Sequence, residues 1–181
     1  MLHRIDRYFR THEVDGVVVD ARVVLNETEA IRLSVVSQLL GYEELYRVVP
    51  KRRFRRDIQD RADYLIDRLE MVRSRRVFDG MLGYALLEAY GATGDPRHLA
   101  AGKSIVDELK AISHYQYVLN GGLMAAMAFA KYYQLTGDVE SGNNAHEVLA
   151  GLPRTSTTTA ASRTGACARP TSTTRTGWPP S

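Results

Sequence analysis

Phe78-Asp79-Gly80-Met81-Leu82-Gly83-Tyr84-Ala85-Leu86-Leu87-Glu88-Ala89-Tyr90-Gly91-Ala92-Thr93-Gly94-Asp95 is the stretch on which the fold turns. A polar opening at Asp79 leads into an apolar run, and Thr93-Gly94-Asp95 closes it. The same plan returns 43 residues later: Leu119-Asn120-Gly121-Gly122 opens Leu123 to Leu135, closed by Thr136-Gly137-Asp138. An amphipathic stretch follows each closure, Pro96 to Ile112 and then Val139 to Leu152. A polar cap, an apolar helix, a Gly stop and a polar-faced helix make one helical hairpin, repeated in tandem.

Two kinds of helix therefore alternate. Those starting near Gly80 and Gly122 are apolar nearly all round, so most of their surface must be buried. Gly83, Ala85, Ala89, Ala125, Ala126 and Ala128 would let them approach one another closely. Those starting near Arg56, Pro96 and Val139 keep a polar side; on the first, Asp57, Asp60, Arg61, Asp63, Asp67 and Arg68 occupy it, opposite Ile58, Ala62, Leu65, Ile66 and Leu69. The expected class is all-α: an inner set of buried helices wrapped by an outer amphipathic set, or an open helical solenoid. The 43-residue spacing is longer than that of a tetratricopeptide repeat and permits a HEAT-like stack.

Outside the two hairpins the signals are shorter. Leu2, Ile5 and Phe9 suit a small helix, and the Val-rich stretch from Val14 to Val24 suits a short extended piece or a loop. A helix is expected from Asn26-Glu27 to Leu40, stopped by Gly41, with a separate one over Tyr42 to Val49 ended by Pro50. Three segments follow: 1–25 as a short helix with irregular chain, 26–152 as the hairpin domain, and 153–181 as a disordered tail.

The 181 residues suit one domain, and the net charge of +3 points superficially to nucleic acid. Residues 1–152, however, hold all 21 acidic side chains and 20 of the 24 basic ones, so the surplus belongs to the tail. Acids from Asp57 to Asp67 also neutralise the run Lys51-Arg52-Arg53-Phe54-Arg55-Arg56, which reads as a solvated helix start rather than a nucleic-acid contact. Cys167 is the single cysteine, so no disulfide framework and no cysteine metal site can form. No run approaches the ~20 apolar residues of a spanning helix, and Met1 to Arg10 lacks a signal-peptide core. A reducing, cytoplasmic setting and no cofactor are the expectations.

The turns Thr93-Gly94-Asp95-Pro96-Arg97-His98-Leu99 and Thr136-Gly137-Asp138, with the leads Asp79-Gly80 and Asn120-Gly121-Gly122, resemble those of α/α toroids, the six-hairpin fold of many carbohydrate-active enzymes. More narrowly, residues 26–152 are similar to bacterial exopolysaccharide-biosynthesis proteins of the VpsJ-like kind. The resemblance implies part of a toroid associated with polysaccharide biosynthesis or processing, with a glycan bound in its central funnel. The alternative is a helical-repeat scaffold that binds another protein and catalyses nothing.

The resemblance also places the ligand where the inner helices begin. Asn26, Asp79 and Asn120 stand at those starts, with Tyr117 in the loop before the last, and they are the candidate ligand-binding residues. Helix N-termini offer unpaired N–H groups and a positive dipole end, although Asn and Asp are also ordinary N-caps. Glu27 and Asp79 are the candidate carboxylate pair for acid–base work on a glycan. Tyr84 and Tyr90, or Tyr115 and Tyr117, could stack on sugar rings or simply pack. His98, His114 and His146 show no metal-ligand spacing and read as surface or turn residues; no metal site is expected.

After Leu152 the composition breaks. Residues 153–181 contain nine Thr and four each of Arg, Ser, Ala and Pro, with no Leu, Ile, Val, Asp, Glu or Lys. Such a chain buries too little apolar surface to offset its entropy. A one-base change of reading frame makes the tail compatible with aromatic and acidic words of the toroid relatives, so it is read as out of frame. The chain would then be a truncated toroid without glycan activity as it stands. Its helix from Gly122 to Leu135 would keep an exposed apolar face open to self-association.

Overall fold

A computed structural model describes residues 13–14, 17–18, 27–74, 79–112 and 119–151. The expectations for Leu2 to Phe9, Asn26, Tyr115, Tyr117, His114 and the tail therefore lie outside the described residues. Among the described residues the fold is all-α: α1 (Glu27–Val48), α2 (Arg52–Asp67), α3 (Leu69–Val72), α4 (Asp79–Thr93), α5 (Pro96–Lys110), α6 (Leu119–Thr136) and α7 (Val139–Gly151). A two-residue antiparallel pair precedes them, Glu13 opposite Val18 and Val14 opposite Val17.

Both Thr-Gly-Asp turns are built by the same hydrogen bonds, which explains the repeated triplet. Gly94 and Gly137 adopt φ of 73° and 75°, a left-handed conformation in which a side chain would be strained. Their N–H groups close the helices onto Tyr90 O at 2.7 Å and Tyr133 O at 2.8 Å. The Thr hydroxyls donate back to Ala89 O and Tyr132 O, and accept from the Asp95 and Asp138 N–H groups. Each Asp then caps the next helix: Asp95 accepts from Arg97 N, Asp138 from Ser141 N.

Three hairpins, α1–α2, α4–α5 and α6–α7, stand side by side, with α4 packed between α1 and α6. The inner helices run parallel. Arg32 of α1 lies 3.8 Å from Asp79 at one end of α4, and Arg47 lies 3.7 Å from Glu88 near the other. Gly80 meets Ala125 near the start of α6, while Glu88 meets Lys131 further along it. A Cβ on Gly80 would fall 2.5 Å from Ala125 N, so the α4 and α6 backbones touch directly there. The core between the rows includes Leu39, Tyr42, Ile58, Leu65, Leu86, Ile105 and Phe129, all fully buried.

Four local expectations need correction. Gly41 does not stop a helix: α1 runs through it to Val48, because Tyr42 and Leu45 enter the core and outweigh the ~1 kcal/mol that Gly costs a helix. The helix expected from Arg56 to Val72 begins at Arg52 and breaks at Arg68. Asp57 and Arg61, expected on its polar side, are buried; Arg61 Nε donates to Gln38 Oε1 at 3.2 Å and its guanidinium stacks on Tyr42. His98, read as a surface or turn residue, follows the Thr-Gly-Asp turn but is 0 % exposed. Helix α6, by contrast, leaves Leu123 and Met127 open on one side, an exposed apolar face such as the stretch from Gly122 to Leu135 led one to expect.

Candidate functional site

At the C-terminal ends of the inner helices a cavity of about 370 Å³ opens between all three hairpins, lined by Glu43, Tyr46, Arg47, Glu88 and Lys131, with Pro50, Gly91 and Ala92 at its apolar edge. Glu43 is its unusual member. It is 5 % exposed, and neither carboxyl oxygen has a hydrogen-bond partner. An ionised carboxylate in that position would lose its water with nothing in return. Burial first, and the neighbouring Glu88 charge second, push Glu43 up to about 10 from the ordinary carboxylate range, with Lys131 and Arg47 only partly opposing. Glu43 is therefore a neutral acid at pH 7, with an O–H group to give.

Glu88 has the opposite surroundings. Lys131 Nζ sits 2.9 Å from one of its oxygens and Arg47 3.7 Å from the other. Arg47 also donates to Glu44 at 2.9 Å, near the cavity mouth. Tyr84, one turn before Glu88, is pushed up to about 12 by burial and by its hydrogen bond to Glu88. A buried proton donor beside an ion-paired carboxylate can bind hydroxyl-rich ligands and move protons.

The residues chosen from sequence fall at the other end of the row. Asp79 is 2 % exposed, and its Oδ1 accepts from Ser74 N and Oγ, both at 2.9 Å, while Arg32 approaches at 3.8 Å. This carboxylate ties the chain before α4 to the helix start, which is structural work. Glu27 opens α1 and Asn120 is exposed in the first turn of α6. Asn26 and Tyr117 lie outside the described residues. Gly80 and α6 do meet near a smaller cavity of about 90 Å³, but that one is lined by Arg32, Leu33, Val36, Met81, Leu82 and Met124 and is mainly apolar.

His98 does gather carboxylates, although its spacing in sequence suggested no ligand set. Its ring and the side chains of Asp63 and Asp95 bring ligand atoms within 4.8 Å of one another. Arg97 already supplies the positive charge, at 2.7 Å from Asp95 and 3.0 Å from Asp63. Gln59 Nε2 donates to both carboxylates at 3.0 Å, and Thr93 Oγ1 holds His98 Nδ1 at 2.9 Å. The hydrogen bonds to Arg97 hold Asp95 well below the usual carboxylate range. The cluster clamps α2 to the α4–α5 turn.

Sequence reasoning missed both acids of the cavity, yet a signal existed. Glu88 is the one charged residue between Met81 and Ala92, and Lys131 the one between Leu123 and Leu135. They stand 43 residues apart, at the same place in the repeat, with opposite charge. Glu43 was hidden by the false break at Gly41: read through, one helix puts it on the buried stripe with Val36 and Leu39. No family model, curated protein or solved structure matches the chain.

Proposed function

We propose that this chain is part of an α/α-toroid-type protein of polysaccharide biosynthesis or processing, and that it holds a carbohydrate in the Glu43–Glu88 cavity. The observation that carries the reading is Glu43, a buried acid with no partner of its own, facing a space large enough for a sugar unit. A sugar hydroxyl would accept its proton-bearing oxygen's hydrogen bond, and the charged groups on Glu88, Lys131 and Arg47 would orient further hydroxyls. Tyr46 supplies an aromatic wall. The reading moves the ligand from the N-terminal ends of the inner helices, where the toroid resemblance put it, to their C-terminal ends.

Saturation-transfer NMR against a panel of soluble oligosaccharides tests it. Transfer to at least one glycan, abolished in Glu43→Leu, supports the site; no transfer, or transfer unchanged in that variant, refutes it. A second reading, a scaffold that binds a protein, draws on the exposed Leu33, Leu123 and Met127. Under that reading glycans give no transfer.

A further inference from the structure

Resting on the carbohydrate reading above, we infer that the cavity's ligand is an acidic glycan, one whose sugar carries a carboxylate received by Arg47, Lys131 and the carboxyl of Glu43. Three features of the lining point the same way. Two cations, Arg47 from α1 and Lys131 from α6, face a single ion-paired carboxylate, Glu88 of α4. Glu43 adds no negative charge while it keeps its proton, so within the lining two cations meet one carboxylate, and Glu44 pairs with Arg47 from the solvent side. Its unspent O–H is, moreover, a donor buried without an acceptor.

A second carboxylate in the cavity would answer both needs. It accepts a hydrogen bond from Glu43, a charge-assisted bond stronger than one to a neutral hydroxyl. It also pairs with whichever cation Glu88 leaves underused. Arg47 is the more reachable of the two: it is 3.7 Å from Glu88, over half exposed and paired with the exposed Glu44, whereas Lys131 is held at 2.9 Å and is nearly buried. Among the described residues, the other ionisable groups nearby are Glu44 at the mouth, already bonded to Arg47, Tyr46 in the lining, and Tyr84, which burial and Glu88 push up to about 12. An amino sugar would bring a third cation to Arg47 and Lys131 and be repelled. A neutral sugar would offer neither cation an ion pair.

Titration calorimetry of the full chain at neutral pH and low salt, with trigalacturonate, maltotriose and a glucosamine trimer as probes, tests this. Trigalacturonate is expected to bind about tenfold more tightly than either other probe, with a preference that shrinks as salt rises. Arg47→Gln, at an exposed position, is expected to remove most of the preference, and Lys131→Met to do the same. Glu43→Gln keeps a donor and retains binding, whereas Glu43→Leu loses it. Maltotriose or the glucosamine trimer binding as tightly as trigalacturonate overturns the acidic ligand while leaving the carbohydrate reading standing. No binding by any probe overturns both. A trigalacturonate affinity unchanged in Arg47→Gln and Glu43→Leu overturns this site as its receptor.

Discussion

Replacing Glu43 with Gln should make the protein's stability less dependent on pH, and the size of the change follows from the burial of that carboxyl. The ordinary Glu value is 4.5, and in the folded chain Glu43 is pushed up to about 10. The folded state therefore binds the proton more tightly than the unfolded chain. Stability linked to this group is full below pH ~4.5 and drains as pH rises toward the folded value, by about 1.4 kcal/mol per pH unit. Between pH 5 and pH 8 the wild type should lose about 4 kcal/mol through this one group. A Gln amide in the same place lacks hydrogen-bond partners too, but that cost does not change with pH. Urea unfolding of wild type and Glu43→Gln at the two pH values isolates the effect, since the other titrating groups are shared. The variant should gain on the wild type by several kcal/mol at pH 8 compared with pH 5. Two proteins separated by the same free energy at both pH values would refute the account of Glu43 as a neutral buried acid.

Other substitutions test the frame around the cavity. Gly80→Ala would force a Cβ to 2.5 Å from the α6 backbone, which cannot rotate away, so a loss of about 2–3 kcal/mol is expected in denaturant unfolding. Gly91→Ala is expected to do the reverse: a Cβ there meets nothing within 4 Å, and helix propensity should add about 0.5–1 kcal/mol, seen as a higher Tm. Asp79→Ala leaves the half-buried Ser74 and Arg32 donors without this acceptor and should lower stability by about 1–3 kcal/mol. If Asp79 is structural, the folded fraction of that variant binds glycan as the wild type does; lost affinity with stability intact would return the site to the helix N-termini.

What the sequence made legible was the repeat and little of the site. Thr-Gly-Asp is readable because its three residues do separate local jobs: back-bonding from Thr, a left-handed bend at Gly, a cap from Asp. Those jobs need no distant partner, so the hairpins from Asp79 to Gly151 match expectation closely. Gly41 misled because its local helix cost is small beside the burial of Tyr42 and Leu45 just after it. His98 misled for a related reason: what buries it, Gln59 and Asp63, belongs to another hairpin. Glu43 is adjacent to the exposed Glu44, and only the helix phase carried through Gly41 tells the buried acid from the solvated one. The ends of the inner helices carry polar caps that catch the eye, but at Asp79 that polarity is spent on the chain's own backbone. The unspent polarity lies at the opposite end.

A crystal structure of the full chain with trigalacturonate addresses the central claim most directly. The account predicts a sugar in the cavity between α1, α4 and α6, its carboxylate between Arg47 and Lys131 and within hydrogen-bond distance of Glu43. A sugar seated instead near Asp79 and Asn120, or an empty cavity at saturating ligand, would contradict it.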